Sequence, residues 1–147
     1  MSARESRESG QVMVLLIGYV LLALLVITVV AAAGSLYLGQ KRLLSLADGA
    51  ALAAADTFVL SGGSATANPG TLLSNQGVMQ AAQNHLAGIA LPTSMSGIAL
   101  ASGTGAPDGH TAQVTMTGVV HPLFINFLVP EGISITVTST ARANLAL

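Results

Sequence analysis

Cysteine and tryptophan are absent from this chain of 147 residues, and its aromatics stop at two Tyr and three Phe. Without cysteine there is no disulfide framework and no thiolate metal site, although exported domains need not carry disulfides, so the compartment stays open. With so few aromatics, any core must be assembled from Ala, Val, Leu and Ile. Such a core packs backbones closely but buries little area per residue, and at about 25 cal/mol per Å² it is marginal alone. Charge is equally scarce: charged residues make up 7% of the chain, against roughly 25% for an ordinary soluble domain. Five Lys plus Arg, spread thinly through a chain of net charge −1, make no patch able to neutralise phosphates, which argues against nucleic acid as a partner.

What the chain has instead is apolar length. Residues 12–38 contain no Asp, Glu, Lys or Arg, with Arg4 and Arg7 before them and Lys41 and Arg42 after. At about 1.5 Å per residue this makes a helix of roughly 40 Å, more than the roughly 30 Å of a bilayer's hydrocarbon. A transmembrane helix is expected, anchored by Val14, Leu15, Leu21, Leu22, Leu25, Val26 and Val29. The rival is a signal peptide cleaved after Ala33, since Ala31-Ala32-Ala33 offers an A-x-A pattern behind a basic start. Against it, the apolar run of residues 12–30 exceeds the usual h-region, and apolar character resumes at Leu36-Tyr37-Leu38. The basic residues nearly tie for orientation. The short arm 1–11 is too small to be a domain, which favours a cytoplasmic N-terminus and an exported C-terminal part in the cell membrane.

Helix formers continue through residues 41–60, predicting a helical extension over 39–60. Leu43, Ala47, Ala50, Ala51, Ala54 and Ala55 fall on one stripe at helical steps, and Ala47, Ala51 and Ala55 form a small-x-x-x-small ladder. Two uses of that face are open: covering the domain's own sheet, or packing on another subunit. The Gly/Ser/Pro-rich residues 61–70 read as a flexible loop, and 71–147 as a small domain. Within it, Val78, Met79, Ala82, Leu86 and Ile89 keep a helical period behind Ser74 or Asn75 as N-cap. Residues 133–142 and 112–117 alternate apolar and polar side chains with period two, predicting two strands, and Ile98 with Leu100 predicts a weaker third. Pro107-Asp108-Gly109 is a turn. Between the two better strands, Leu123, Phe124, Phe127 and Leu128 make an unusually apolar connection, read as a plug for the sheet's end or a contact with lipid or a partner. The predicted fold class is α+β: a long N-terminal transmembrane helix continuing out of the membrane, a short helix, and an antiparallel sheet of about three or four strands.

No residue pattern indicates catalysis, a cofactor or a metal. Residues 103–109 are glycine-rich but lack the spacing and following helix of a phosphate loop. His85, His110 and His121 fall in three different elements without ligand spacing, and Asp48, Asp56, Asp108 and Glu131 never pair closely in sequence.

Arg42-Leu43 followed by Ala47-Asp48 and then Ala50-Ala51-Leu52-Ala53-Ala54-Ala55, behind Gly10-Gln11-Val12 and a Leu/Val span, resembles the Tad (tight adherence, Flp-type) pilus-assembly TadE/TadG-like family. The resemblance covers about the first sixty residues, and the close Thr140-Ala141-Arg142-Ala143 is similar to the family's ending. It implies a non-catalytic, pilin-like minor subunit of a Tad/Flp-type pilus or related secretion apparatus. Such a subunit is anchored by its helix, and its partners are the lipid bilayer and other pilus or assembly subunits; homo-oligomerisation is compatible with it. Two positions depart from the family pattern: Ala32 stands where an Asp is frequent, and Leu15 where processed members carry Glu five residues after Gly10. These departures favour stable membrane residence over polymerisation as a major pilin. The alternative is an exported binding or adhesion module released by signal peptidase after Ala33.

Overall fold

A computed structural model describes residues 2–57, 59–60, 71–122 and 124–143. The expected loop at 61–70, and Leu123 of the apolar connection, lie outside the described residues. The chain is α+β. A single helix, α1 (Ser2–Ala55), runs for 54 residues, about 80 Å at 1.5 Å per residue. After it come two-residue strands β1 (Val59–Leu60) and β2 (Thr71–Leu72), helix α2 (Asn75–Ala87), and strands β3 (Met95–Leu100), β4 (Thr111–Val120) and β5 (Ile133–Arg142).

No proline occurs before Pro69, so nothing in the first 55 residues removes a helical hydrogen bond. Two hydroxyls in the apolar stretch turn back on their own helix: Thr28 Oγ1 donates to the Leu24 carbonyl at 2.8 Å and Ser35 Oγ to that of Ala32 at 2.8 Å. The expected extension to residue 60 is corrected: the helix stops at Ala55. Thr57 closes it, its backbone N–H donating to the Ala54 carbonyl at 3.2 Å and its hydroxyl to the same oxygen at 2.7 Å. A side chain that satisfies a terminal carbonyl competes with another helical turn, and the chain turns into β1, paired antiparallel with β2.

The sheet has the order β3-β4-β5 with both pairings antiparallel, so it holds three strands among the described residues. β4 and β5 pair in unbroken register from Thr111↔Arg142 to Val120↔Ile133. The β3–β4 register shifts by one between Ser96 and Ala99, a bulge at Gly97 and Ile98. On β4, Ala112, Val114, Met116, Gly118 and Val120 are buried, while the alternate face carries Thr111, Gln113, Thr115 and Thr117. β5 follows suit, with Ile135 and Val137 inward and Ser134, Thr136, Thr138 and Thr140 exposed. On the outer face the Thr115 and Thr138 hydroxyls bond each other at 3.1 Å.

The upper part of α1 covers the inner face, lying against β4, β5 and α2. Ser74 caps α2 by accepting from the Gly77 N–H at 3.0 Å. The helix ends at Gly88, whose N–H reaches the Asn84 and His85 carbonyls, so Ile89, predicted as part of the helical period, is corrected to a position past the helix end. Leu43, Val78, Val114 and Met116 are the largest fully buried apolar side chains of α1, α2 and β4, a small core with no aromatic in it.

Gly39 lies where α1 crosses the end of β4. A Cβ placed there would lie 2.5 Å from Val120 Cγ2 and 3.2 Å from Cγ1, and the branched Val120 has no flexible far end to move. Gly39→Ala, which in an open helix would add about 1 kcal/mol of stability, is expected to cost about 1–3 kcal/mol here, with part recovered in the Gly39→Ala/Val120→Ala double variant. Thermal unfolding in detergent micelles, followed by circular dichroism, measures both.

Candidate functional site

Three sets of residues carried the functional reading, and the structure sends them to different places. Val14, Leu15, Leu21, Leu22, Leu25, Val26 and Val29 are all exposed along the lower part of α1. The most apolar 18-residue window of the helix has mean hydropathy 3.0, and none of it is buried within the chain. A helix apolar on every side and covered by nothing is long and apolar enough to cross a membrane.

The second set is buried. Leu43, Ala47, Ala50, Ala51 and Ala54 have no exposed surface and Ala55 is only 5% exposed. They belong to the same cluster as Val78 and Ala82 of α2 and Val114 and Met116 of β4. Of the two uses left open for this stripe, the structure shows the first: the alanines bring the helix close to its own sheet and to α2. As a face for another subunit the stripe is corrected, because these side chains are already enclosed.

Two polar contacts of α1 sit on the rim of that stripe, and sequence reading missed both. The Ser139 hydroxyl of β5 donates to the Asp48 carboxylate, and Arg42 Nη1 donates to Ser94 Oγ at 2.8 Å just before β3. Their signal was present in the inward positions of β5, where Ser139 interrupts an otherwise apolar series of Ile133, Ile135, Val137 and Ala141. A hydroxyl on the inward side of a strand calls for a partner in the layer above.

These contacts also fix direction. Gly39 abuts Val120, a Cβ on Gly118 would lie 3.5 Å from Leu43, and Asp48 holds Ser139, the partner of Val114 in the ladder. Ascending α1 therefore means moving back along β4, so the 121–132 connection lies at the foot of the domain, beside the apolar segment. A groove there is lined by Ser35, Leu38, Arg42, Ser94, His121 and Asn126. Phe124 is 70% exposed, Phe127 79% and Leu128 67%. The connection is nevertheless built: Pro122 is buried, and the Leu128 and Val129 N–H groups both donate to the Ile125 carbonyl at 2.9 and 3.0 Å. Phe124 sits at φ +70°, a conformation that costs a non-glycine residue about 1–2 kcal/mol.

At the opposite end of β4, Gly105 pairs with Gln113 and residues 106–109 form the predicted turn. The Gly109 N–H donates to the Ala106 carbonyl at 3.3 Å, with Gly109 at φ +73° as the turn requires. Asp108 Oδ1 accepts from the His110 and Thr111 N–H groups at 2.9 and 2.6 Å, and Oδ2 from the Thr111 hydroxyl at 2.8 Å. Those bonds, the His110 N–H first, hold its pKa down from 3.8 to about 2. His85 lies in α2 near Gly49, His110 follows this turn, and His121, bonded to Ser96 Oγ at 3.0 Å, lies at the foot. The three are not brought together, and among the described residues no three His, Asp or Glu side chains converge as a metal site would require.

The resemblance implied anchoring by the N-terminal helix, and the exposed apolar rod is the part of the structure that corresponds to it. Residues 10–57 match the Tad family, "Putative Flp pilus-assembly TadE/G-like". The Tad match covers α1 from Gly10 to its end, including Arg42, Asp48 and the buried alanines; residues 58–147 lie beyond it. It supports a pilus-related role in contact with other pilus components and, taken with the apolar helix, a single-pass membrane protein. No curated protein and no solved structure matches the chain.

Two outcomes follow from this geometry. In a double-mutant cycle, Asp48→Ala and Ser139→Ala are expected to show a coupling of about 1 kcal/mol in thermal unfolding. The depressed pKa of Asp108 gives a contribution to stability that is whole above about pH 5 and is lost as pH falls from about 4 to about 2. The drop in melting temperature between pH 5 and pH 2.5 is therefore expected to be smaller in Asp108→Asn than in the unmodified chain.

Proposed function

We propose that the chain is a non-catalytic, pilin-like minor subunit of a Tad/Flp-type pilus or related secretion apparatus, working through its anchor and its contacts with neighbouring subunits. The observation that carries this reading is the Tad match over residues 10–57, which falls on the helix that is exposed below and packed above. In it, residues 1–11 are a cytoplasmic arm and 12–38 cross the cell membrane. The upper helix with residues 71–147 forms an extracytoplasmic domain. The charge balance around the span is even, so the orientation rests on the shortness of the arm.

Function by shape fits the chemistry. The upper helix is occupied by its own domain, so contacts with other pilus subunits fall to the lipid-facing rod, the Thr-lined outer face of the sheet and the apolar foot. The secretion and adhesion roles of such an apparatus would pass through these surfaces.

The other reading, an adhesion or binding module released after Ala33, is favoured by the small residues at 31–33 and opposed by the helix around them. α1 passes through Ala33 unbroken, and the Ser35 hydroxyl bonds the Ala32 carbonyl. Intact mass of the protein from alkali-washed membranes separates the two. The anchored subunit is expected in the pellet with residues 1–33 attached; a soluble species beginning at Gly34 would overturn it. Protease protection of a C-terminal tag in sealed cells tests orientation, with digestion from outside expected.

A further inference from the structure

We infer that the 121–130 connection is a second membrane contact, seating Phe124, Phe127 and Leu128 in the interfacial layer of the bilayer beside the emerging helix. The inference rests on the membrane reading above and adds a surface to it. It does not depend on which side of the membrane the domain occupies.

Height comes first. Asn126, between the exposed Phe124 and Phe127, shares a groove with Ser35 and Leu38, so the connection descends to the last turn of the charge-free segment. That segment is about 10 Å longer than a hydrocarbon core, which leaves its final turns in the headgroup layer. Side groups mark the same level: Lys41 Nζ lies 5.6 Å from the Tyr37 ring, one helical turn apart, with Arg42 next to it. An amphipathic ring with basic neighbours is the composition of a helix end at a lipid interface, where the cations meet phosphate.

Chemistry agrees with height. Residues 121–130 carry no Asp, Glu, Lys or Arg, so no charge has to be stripped of water. Both Phe residues among those described are here, exposed, in a connection whose Pro122 is buried and whose Ile125 and Val129 are half-buried. An apolar tip held outward at the level of the helix exit, with Lys41 and Arg42 at that level and a single exposed acid, Glu131, just past its end, fits lipid better than a protein partner with its own polar rim. Anchored at two points, the sheet would keep a fixed tilt to the membrane instead of swinging on one helix.

The chain has no Trp, so one introduced indole reports alone. Full-length Phe127→Trp, Leu24→Trp and Leu72→Trp would be reconstituted into phosphatidylcholine vesicles with and without brominated acyl chains. Leu24 lies in the span, and Leu72 is exposed beside Gly109, at the other end of β4 about 30 Å away. Phe127→Trp is expected to emit at shorter wavelength than Leu72→Trp and to lose about half its intensity to bromine, with Leu72→Trp unchanged. If Leu24→Trp is quenched while Phe127→Trp is quenched no more than Leu72→Trp, the proposal fails and the span survives. A blue-shifted Phe127→Trp that bromine does not touch assigns the surface to protein and also overturns it. An unquenched Leu24→Trp overturns both readings.

Discussion

A peptide group in hydrocarbon has no water to bond, so a chain that enters a bilayer must satisfy its backbone within itself, and a helix does this residue by residue. The lower part of α1 is long and apolar enough to meet that constraint, and because no residue between 38 and 55 interrupts the ladder, the same helix continues above. One rod then serves two surroundings. Below, its surface is apolar on all sides and uncovered; above, one stripe is apolar and enclosed, while Lys41, Ser45 and Leu52 are exposed. The sheet is laid on a helix already fixed in direction, so the ends of its strands acquire a top and a foot relative to the membrane.

The contact between rod and sheet depends on small residues. Alanine at 47, 50, 51 and 54 and glycine at 39 let the helix backbone approach β4 and β5 closely, replacing side-chain bulk with proximity. Such an interface buries modest area, and two polar ties, Arg42 to Ser94 and Asp48 to Ser139, set its register. Both ties come from the Tad-matching segment and reach residues outside it. The matched segment thus contains the exposed apolar rod and the helix surface against which β4, β5 and α2 pack.

Polarity is also sorted by height. The head of β4 ends in the Asp108 turn, polar and bonded to its own backbone, while the foot is apolar apart from His121, Asn126 and Glu131.

Composition and periodicity by themselves determined the apolar rod, the alanine stripe, the α2 period and the alternation of β4 and β5, because each depends on local spacing. They also marked the 121–130 connection as too apolar for an ordinary loop. Where the stripe would be used could not be read, since an alanine ladder fits a partner helix and an own sheet equally well; only the fold, by bringing β4, β5 and α2 onto it, decided. The end of α1 was decided by Thr57 reaching back to Ala54, a bond that propensity does not contain. The foot of the domain was decided last of all. Residues 35–38 and 121–126 lie more than eighty positions apart, and only β4, running antiparallel to the helix, brings them level.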